Sequence, residues 1–424
     1  MYPINTPAVY IHERVLEDPR CVARMERMMR HITTAEGPRV VSDAELNQLS
    51  RRYNWSGELA GKRTGLLQRT TDPVIVFNRF RWVEPERMAQ LKRTFPDLAR
   101  FYLLGDGAIT YHDGRGTLQT QRGVCQNAYL LHSAWGCLPS CDYCNIGTLL
   151  NIMLDIEQLI EHVDVLAEAN PWLQLYKYDN HTDIPTFEPE YGALKLLVDS
   201  FAKQRERFLL IYTKSANLDY LADYDHQGQT IVCWTLSCDT VSRLIEKGAP
   251  TTVERIAAAK MCQDAGYPVR ARLSPIIPIQ GWQHENAAML EEYLTAVRPD
   301  VLTLDMFKHV EPRDVPGTFD VSLWDPTFAA YVDEYARTPD ADRPSDVIPN
   351  GKHIFPQEAR AAVYRFFIER INALSPDTRV ALCGETPEIW EELRDDLGMT
   401  PDDYVCACGP TSVPGNELFN GFHG

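Results

Sequence analysis

The sequence predicts an α/β protein: a partial (β/α)6, TIM-like barrel with N-terminal and C-terminal extensions. Two observations carry that expectation. From about residue 123, strand-like runs alternate with helical segments through six units, the pattern of a parallel sheet with helical crossovers. At 424 residues the chain is also long for one domain, so a barrel leaves room for flanking parts.

The elements follow in order. Before the barrel, residues 7–12 read as a strand, a helix runs on to about Met29, and Val74-Ile-Val-Phe77 is an apolar run. Residues 106–116 hold three glycines among polar residues and read as a turn or hairpin. The barrel strands are expected at 128–131, 173–178, 208–213, 231–236, 269–273 and 301–304. Helices are expected at 157–169, 191–204, 251–265 and 284–297, the third ended by Gly266. Residues 310–350 read as loop-rich. A helix at 357–374, a strand at 379–383 and a short helix at 387–397 follow. The expected division is 1–120 as a flanking subdomain, 121–310 as the barrel and 311–424 as a C-terminal extension. In such sheets ligands bind at the C-terminal ends of the strands.

The first barrel strand feeds the run Cys137-Leu-Pro-Ser-Cys141-Asp-Tyr-Cys144. Three thiolates at C-x3-C-x2-C spacing hold three irons of a cubane [4Fe–4S] cluster and leave the fourth iron without a protein ligand. A zinc site usually pairs two C-x2-C units, or adds Cys or His at short range. Only one C-x2-C occurs here, so zinc explains the order poorly.

The run resembles the signature of the radical S-adenosylmethionine (radical SAM) superfamily. Further segments resemble its spore photoproduct lyase group: Asn180-His-Thr-Asp183-Ile, Tyr212-Thr-Lys214, Trp234-Thr235-Leu-Ser237, Arg255-Ile-Ala-Ala-Ala-Lys260, Ala265-Gly-Tyr-Pro268 and Ser274-Pro275-Ile276. The likeness covers residues 125–310. It implies a [4Fe–4S] cluster on Cys137, Cys141 and Cys144, with SAM on the open iron yielding a 5′-deoxyadenosyl radical. It also implies that Tyr143 holds adenine through its backbone and that Lys214 contacts the SAM carboxylate. Thr235 and Ser237 stand at a strand end where hydroxyls contact SAM. A reductant such as flavodoxin or ferredoxin is expected as partner.

Two departures matter. The repair enzymes carry a hydrogen-donating cysteine in a Cys-Thr-Ser-Asp stretch at the end of the second barrel strand, and here Asn180 stands there. A tyrosine that follows the third cluster cysteine in those enzymes is Asn145. The hydrogen-return route of photolesion repair is therefore expected to be missing. The polar groups at that strand end, Asp179, His181 and Asp183, are the candidate catalytic residues. Arg272, Asp305 and Lys308 are further strand-end candidates.

A second group, Cys383, Cys406 and Cys408, is a candidate auxiliary Fe–S site, with Cys125 as a possible fourth ligand. Cys406-Ala-Cys408-Gly lies in a polar tail, a poor place for core cysteines. Cys21, Cys233, Cys238 and Cys262 read as structural.

The net charge of −17 argues against a nucleic-acid partner, whose recognition usually shows a basic face. It favours a small cationic substrate. No apolar run approaches a membrane span. The N-terminus lacks a signal-peptide layout, so a cytoplasmic location is expected, where 11 cysteines argue for metal ligation over disulfides. The leading expectation is a radical SAM enzyme, lyase-like, dehydrating or rearranging an amino sugar of natural-product (antibiotic) biosynthesis. The alternatives are photolesion repair of the spore photoproduct lyase type, supported by any basic groove around Lys62, Arg63, Arg69, Arg79 and Arg81, and a non-catalytic Fe–S or zinc protein.

Overall fold

The computed structural model describes residues 1–55, 72–144, 146, 149–344 and 353–415. Seven parallel strands hydrogen-bond to one another in sequence order: Ala128–Leu131, Leu175–Tyr178, Phe208–Thr213, Thr230–Leu236, Val269–Ile276, Val301–Met306 and Arg379–Leu382. The first six are the expected barrel strands. Phe208–Thr213 and Val301–Met306 are buried at every position, as parallel strands covered on both faces must be. The covering helices include Ile156–Ala169, Ala193–Phe201, Thr252–Asp264 and Trp282–Ala296. Thr252–Asp264 starts at a capping box in which Thr251 and Glu254 satisfy each other's backbone N–H groups.

The sheet runs past the expected bounds of the barrel at both ends. Ile109–His112, within the stretch read as a turn or hairpin, adds an antiparallel strand beside Ala128–Leu131. Arg379–Leu382 of the C-terminal extension pairs in parallel with Val301–Met306. The segments flanking the first and seventh strands meet, with Val124 N donating to Glu385 O at 2.6 Å. Within the stretch read as loop-rich, Pro326–Arg337 is a helix capped by Asp325. Residues 404–413 close the base of the barrel. There Pro410 O accepts from Gln174 N and Leu175 N at 2.9 and 3.1 Å, and Arg270 donates to Ala407 O at 3.0 Å.

A second sheet sets the cysteine loop. Its order is Arg39–Val41, Val9–His12, Val74–Asn78, Leu149–Met153, Ala134–Trp135. The first three strands belong to the N-terminal part. The last two lie on either side of the cysteine run and pair antiparallel, Ala134 opposite Ile152 and Trp135 opposite Asn151. The loop between them is therefore held at both ends by the N-terminal sheet. Gly136 opens it at φ +93°, and a Cβ there would lie 1.8 Å from Leu149 O, so only glycine fits. No helix among the described residues is long and apolar enough to cross a membrane.

Candidate functional site

Cys137, Cys141 and Cys144 line one cavity of about 220 Å³ at the C-terminal ends of the barrel strands. The loop that carries them is docked by its backbone. Gly136 N donates to His181 O at 3.1 Å, Ser140 N to Lys247 O at 2.8 Å and Asp142 N to Ile245 O at 2.9 Å. Lys247 and Asp142 add an ion pair at 2.8 Å. Burial pushes the Cys141 thiol up to about 12 against the pull of Lys214, so its thiolate form needs a compensating cation such as a bound iron. The spacing discriminates between metals. Zinc–sulfur bonds of about 2.3 Å bring zinc-bound sulfurs within about 4 Å of one another. Among the described residues, the one group of three potential ligands within 4.8 Å is His132, Asp179 and His181. The cysteine triad is not such a group, and its C-x3-C-x2-C order suits a cubane, where each thiolate takes its own iron.

Glu246 organises the wall beside this loop. It is fully buried and accepts from the Tyr143 hydroxyl at 2.6 Å and from Ser237 Oγ at 2.9 Å. Arg255 lies 2.6 Å and Lys214 Nζ 3.7 Å from its oxygens. Burial raises the Glu246 carboxyl, but Arg255 and Lys214 outweigh it and hold the group ionised. Arg255 also donates to Thr235 O at 3.1 Å. Tyr143, Lys214 and Thr235 all line the cluster cavity. Ser237 does not; its hydroxyl is committed to Glu246, behind the wall.

The second-strand end is more divided than its sequence suggested. Both Asp179 oxygens are engaged, with His132 Nδ1 at 2.7 Å, His181 N at 2.8 Å and Ser133 N at 3.0 Å. Asp183 accepts from Thr213 Oγ1 at 2.7 Å and Lys214 N at 2.9 Å, which sets the backbone of Lys214. Both carboxylates line the cavity but serve chiefly to hold neighbouring elements. His181 turns away from the cavity. Its ring stacks on His132 at 4.0 Å and packs 4.7 Å from Trp135. Two rings stacked at 10° present faces rather than nitrogen lone pairs to each other, so the His132–Asp179–His181 group reads as a structural cluster rather than an ion site.

The family model for spore photoproduct lyase matches residues 113–380. This chain belongs to the spore photoproduct lyase family. It is thereby a member of the radical SAM superfamily. The spore photoproduct lyases of Bacillus subtilis and Geobacillus are 25% and 24% identical to it over 205 residues, which is 46% of this chain and 60% of each relative. A solved cysteine-to-alanine variant of spore photoproduct lyase with dinucleoside spore photoproduct superposes with a TM-score of 0.61 at 16% identity, covering 89% of this chain and 98% of that one. A double variant with bound AdoMet and the same dinucleoside gives 0.61 over 91% and 100%. These likenesses show the barrel fold, and the second of those structures holds AdoMet.

Against that family frame, Asn180 is the residue to note. It lines the cluster cavity and two others. One, of about 320 Å³, is walled by Cys125, Cys383, Cys408, Lys177, Arg272 and Lys308. The other, of about 530 Å³, is walled by Tyr143, Cys144, Ser274, Asp305, Lys308, His309 and Asp314. Asp305 is tied to Lys308 at 2.7 Å and to Ser274 Oγ at 2.7 Å. The expected auxiliary cysteines, with Cys125, come together here. Cys125, Cys383 and Cys408 line the cavity of about 320 Å³; Cys406 lies behind Cys408, its thiol hydrogen-bonded to the Cys408 thiol and 3.9 Å from Gln126 Oε1. Of the basic groove, Lys62, Arg63 and Arg69 lie outside the described residues, as does Asn145. Arg79 pairs with Glu17 at 3.4 Å and Arg81 with Asp43 at 2.9 Å, which neutralises both.

Sequence reasoning missed Glu246. It lies beyond a strand end in Glu246-Lys-Gly-Ala-Pro, a stretch that reads as a solvated turn. The nearby sequence holds no signal for it, because its partners are Tyr143, Ser237, Lys214 and Arg255.

Proposed function

We propose that this chain is a radical SAM enzyme acting on a polar, amine- and hydroxyl-bearing small molecule of amino-sugar type, which it dehydrates or rearranges. The substrate lies in the 530 Å³ cavity that shares Tyr143, Cys144, Asn180 and Ser274 with the cluster cavity. Cys137, Cys141 and Cys144 would hold the cluster, which would supply the electron for reductive cleavage of SAM. The chain's residues bind and orient. Lys214, set by Asp183 and Glu246, meets the SAM carboxylate; Thr235 and the Tyr143 backbone flank the rest. On the substrate side, Asp314 suits an ammonium group, and Lys308 Nζ, ion-paired with Asp305, gives the proton that a departing hydroxyl takes away as water; 5′-deoxyadenosine would return its hydrogen to the product radical, so that no other hydrogen donor is required.

The observation that carries this reading is Asn180 at the junction of the three cavities. The N–H and C–H bonds of an asparagine are too strong to return hydrogen to a carbon radical, so a fate other than hydrogen return from that position is favoured. Family membership favours a second reading, photolesion repair by another hydrogen source. A solved relative carries dinucleoside spore photoproduct, and the expectation that nucleic acid is an unlikely partner finds no support in the comparisons. Reduced enzyme with SAM and deuterated candidates separates the two. Deuterium in 5′-deoxyadenosine from amino sugars is the expected result; transfer from dinucleoside lesions alone would replace the first reading with the second.

A further inference from the structure

We infer that Cys125, Cys383 and Cys408 hold a second iron–sulfur cluster inside the barrel. The three thiols come from distant parts of the chain: the approach to the first barrel strand, the exit from the seventh and the C-terminal plug. They nevertheless converge on one cavity of about 320 Å³. The plug is what brings Cys408 there, since Ala407 N donates to Thr303 Oγ1 at 3.1 Å and Ala407 O accepts from Arg270.

Their surroundings are not those of structural cysteines. Cys21, Cys233 and Cys262 sit among apolar side chains in the hydrophobic core, as buried free thiols usually do. Cys125, Cys383 and Cys408 share their cavity with Lys177, Arg272 and Lys308, against one lining carboxylate, Asp305. Three cations facing one carboxylate leave a positive surplus in a place shielded from water, and such a surplus calls for an anion. A cluster ligated by three thiolates is one. Two nitrogens already lie against the sulfurs: Arg272 Nη2 donates to Cys383 Sγ at 3.2 Å, and His112 Nε2 lies 3.2 Å from Cys125 Sγ, donating in its Nε2–H tautomer. Hydrogen bonds of that kind stabilise thiolate ligands and tune a cluster's potential.

The spacing excludes the simplest alternative. No three potential ligands in this cavity lie within 4.8 Å of one another among the described residues, so a single zinc is not preformed. The Cys137–Cys141–Cys144 triad shares that wide spacing. At 3.2 Å from Cys125 Sγ, His112 is too close to serve a different iron of the same cubane. It acts as a positioning residue and the ligand set is three thiolates, with the fourth iron open to a substrate donor atom. Asn180 and Arg272 form the shared wall between this cavity and the first.

The test is an iron and sulfide count on the full chain after anaerobic reconstitution, with electron paramagnetic resonance of the reduced protein. Two cubanes give about eight irons per chain. The triple variant Cys137→Ala/Cys141→Ala/Cys144→Ala is expected to keep about four irons and a cluster signal. The variant Cys125→Ala/Cys383→Ala/Cys408→Ala is expected to keep about four and still cleave SAM, while Cys406→Ala keeps about eight. About four irons in the unmodified chain, with or without an added zinc, overturns the inference without reliance on any variant's folding. An anion that binds the cavity competitively at that iron content would assign the cations to substrate instead.

Discussion

The hydroxyl of Tyr143 donates to Glu246 at 2.6 Å, joining the cysteine loop to the turn after Asp239–Leu244, the short helix that follows the fourth barrel strand. Arg255, fully buried, meets the same carboxylate at 2.6 Å. Removing one partner of a buried ion pair leaves an uncompensated charge and costs about 3–5 kcal/mol. Glu246→Ala is therefore expected to lower the unfolding free energy by about that amount and Tyr143→Phe by about 1 kcal/mol. Urea denaturation of the unreconstituted chain checks this. Equal effects of the two variants would mean that Glu246 does not neutralise Arg255.

Lys214 is placed for an anionic ligand group by Asp183, which fixes its backbone, and by Glu246, which its Nζ approaches at 3.7 Å. A hydrogen bond to a charged group contributes about 1.5–3 kcal/mol. Lys214→Ala should weaken SAM binding by roughly tenfold to a hundredfold while leaving the iron count unchanged. Calorimetric titration of reconstituted protein with SAM measures it, and unaltered affinity would remove Lys214 from the SAM site.

Asn180 offers a direct test of radical fate. Asn180→Cys places an exchangeable S–H at the meeting point of three cavities. In D2O the variant is expected to return solvent deuterium to the substrate or product, and the unmodified chain is not. Mass spectrometry reads the difference. Solvent deuterium in the product of the unmodified chain would show that another group on its cavity walls already returns hydrogen.

His181 provides a pH dependence. Burial, then the neighbouring His132, push its imidazole down from 6.5 to about 4, with Asp179 opposing. The unfolded chain thus binds more protons than the folded one between those values. Stability from this group is present above pH 6.5 and is lost as pH falls toward 4, by at most about 3 kcal/mol. His181→Phe should flatten the slope of unfolding free energy across that window. An unchanged slope would place the acid sensitivity elsewhere.

How much of this was readable from sequence depended on distance along the chain. All six expected barrel strands are present, because each declares itself within a few residues through apolar runs bounded by turns. The seventh barrel strand also appeared as a strand, but nothing local tied Arg379–Leu382 to the barrel; its pairing with Val301–Met306 is a long-range event. The candidate site shows the same division. Tyr143, Lys214 and Thr235 were legible through family motifs and do reach the cavity. Ser237 and His181 lie one and three residues beyond their strand ends and face elsewhere, since side-chain direction there depends on what packs against the strand.

The sequence by itself determined the family motif: eight consecutive residues, Cys137 to Cys144, hold three cysteines at C-x3-C-x2-C spacing, and spacing inside one loop survives any arrangement of the rest. Only the tertiary structure decided what surrounds that loop. Glu246 behind it, Asn180 between three cavities, and Cys125 beside Cys383 and Cys408 follow from contacts between segments that chain order does not relate, made where parallel strands bring their C-terminal ends together and where a tail closes the barrel from below.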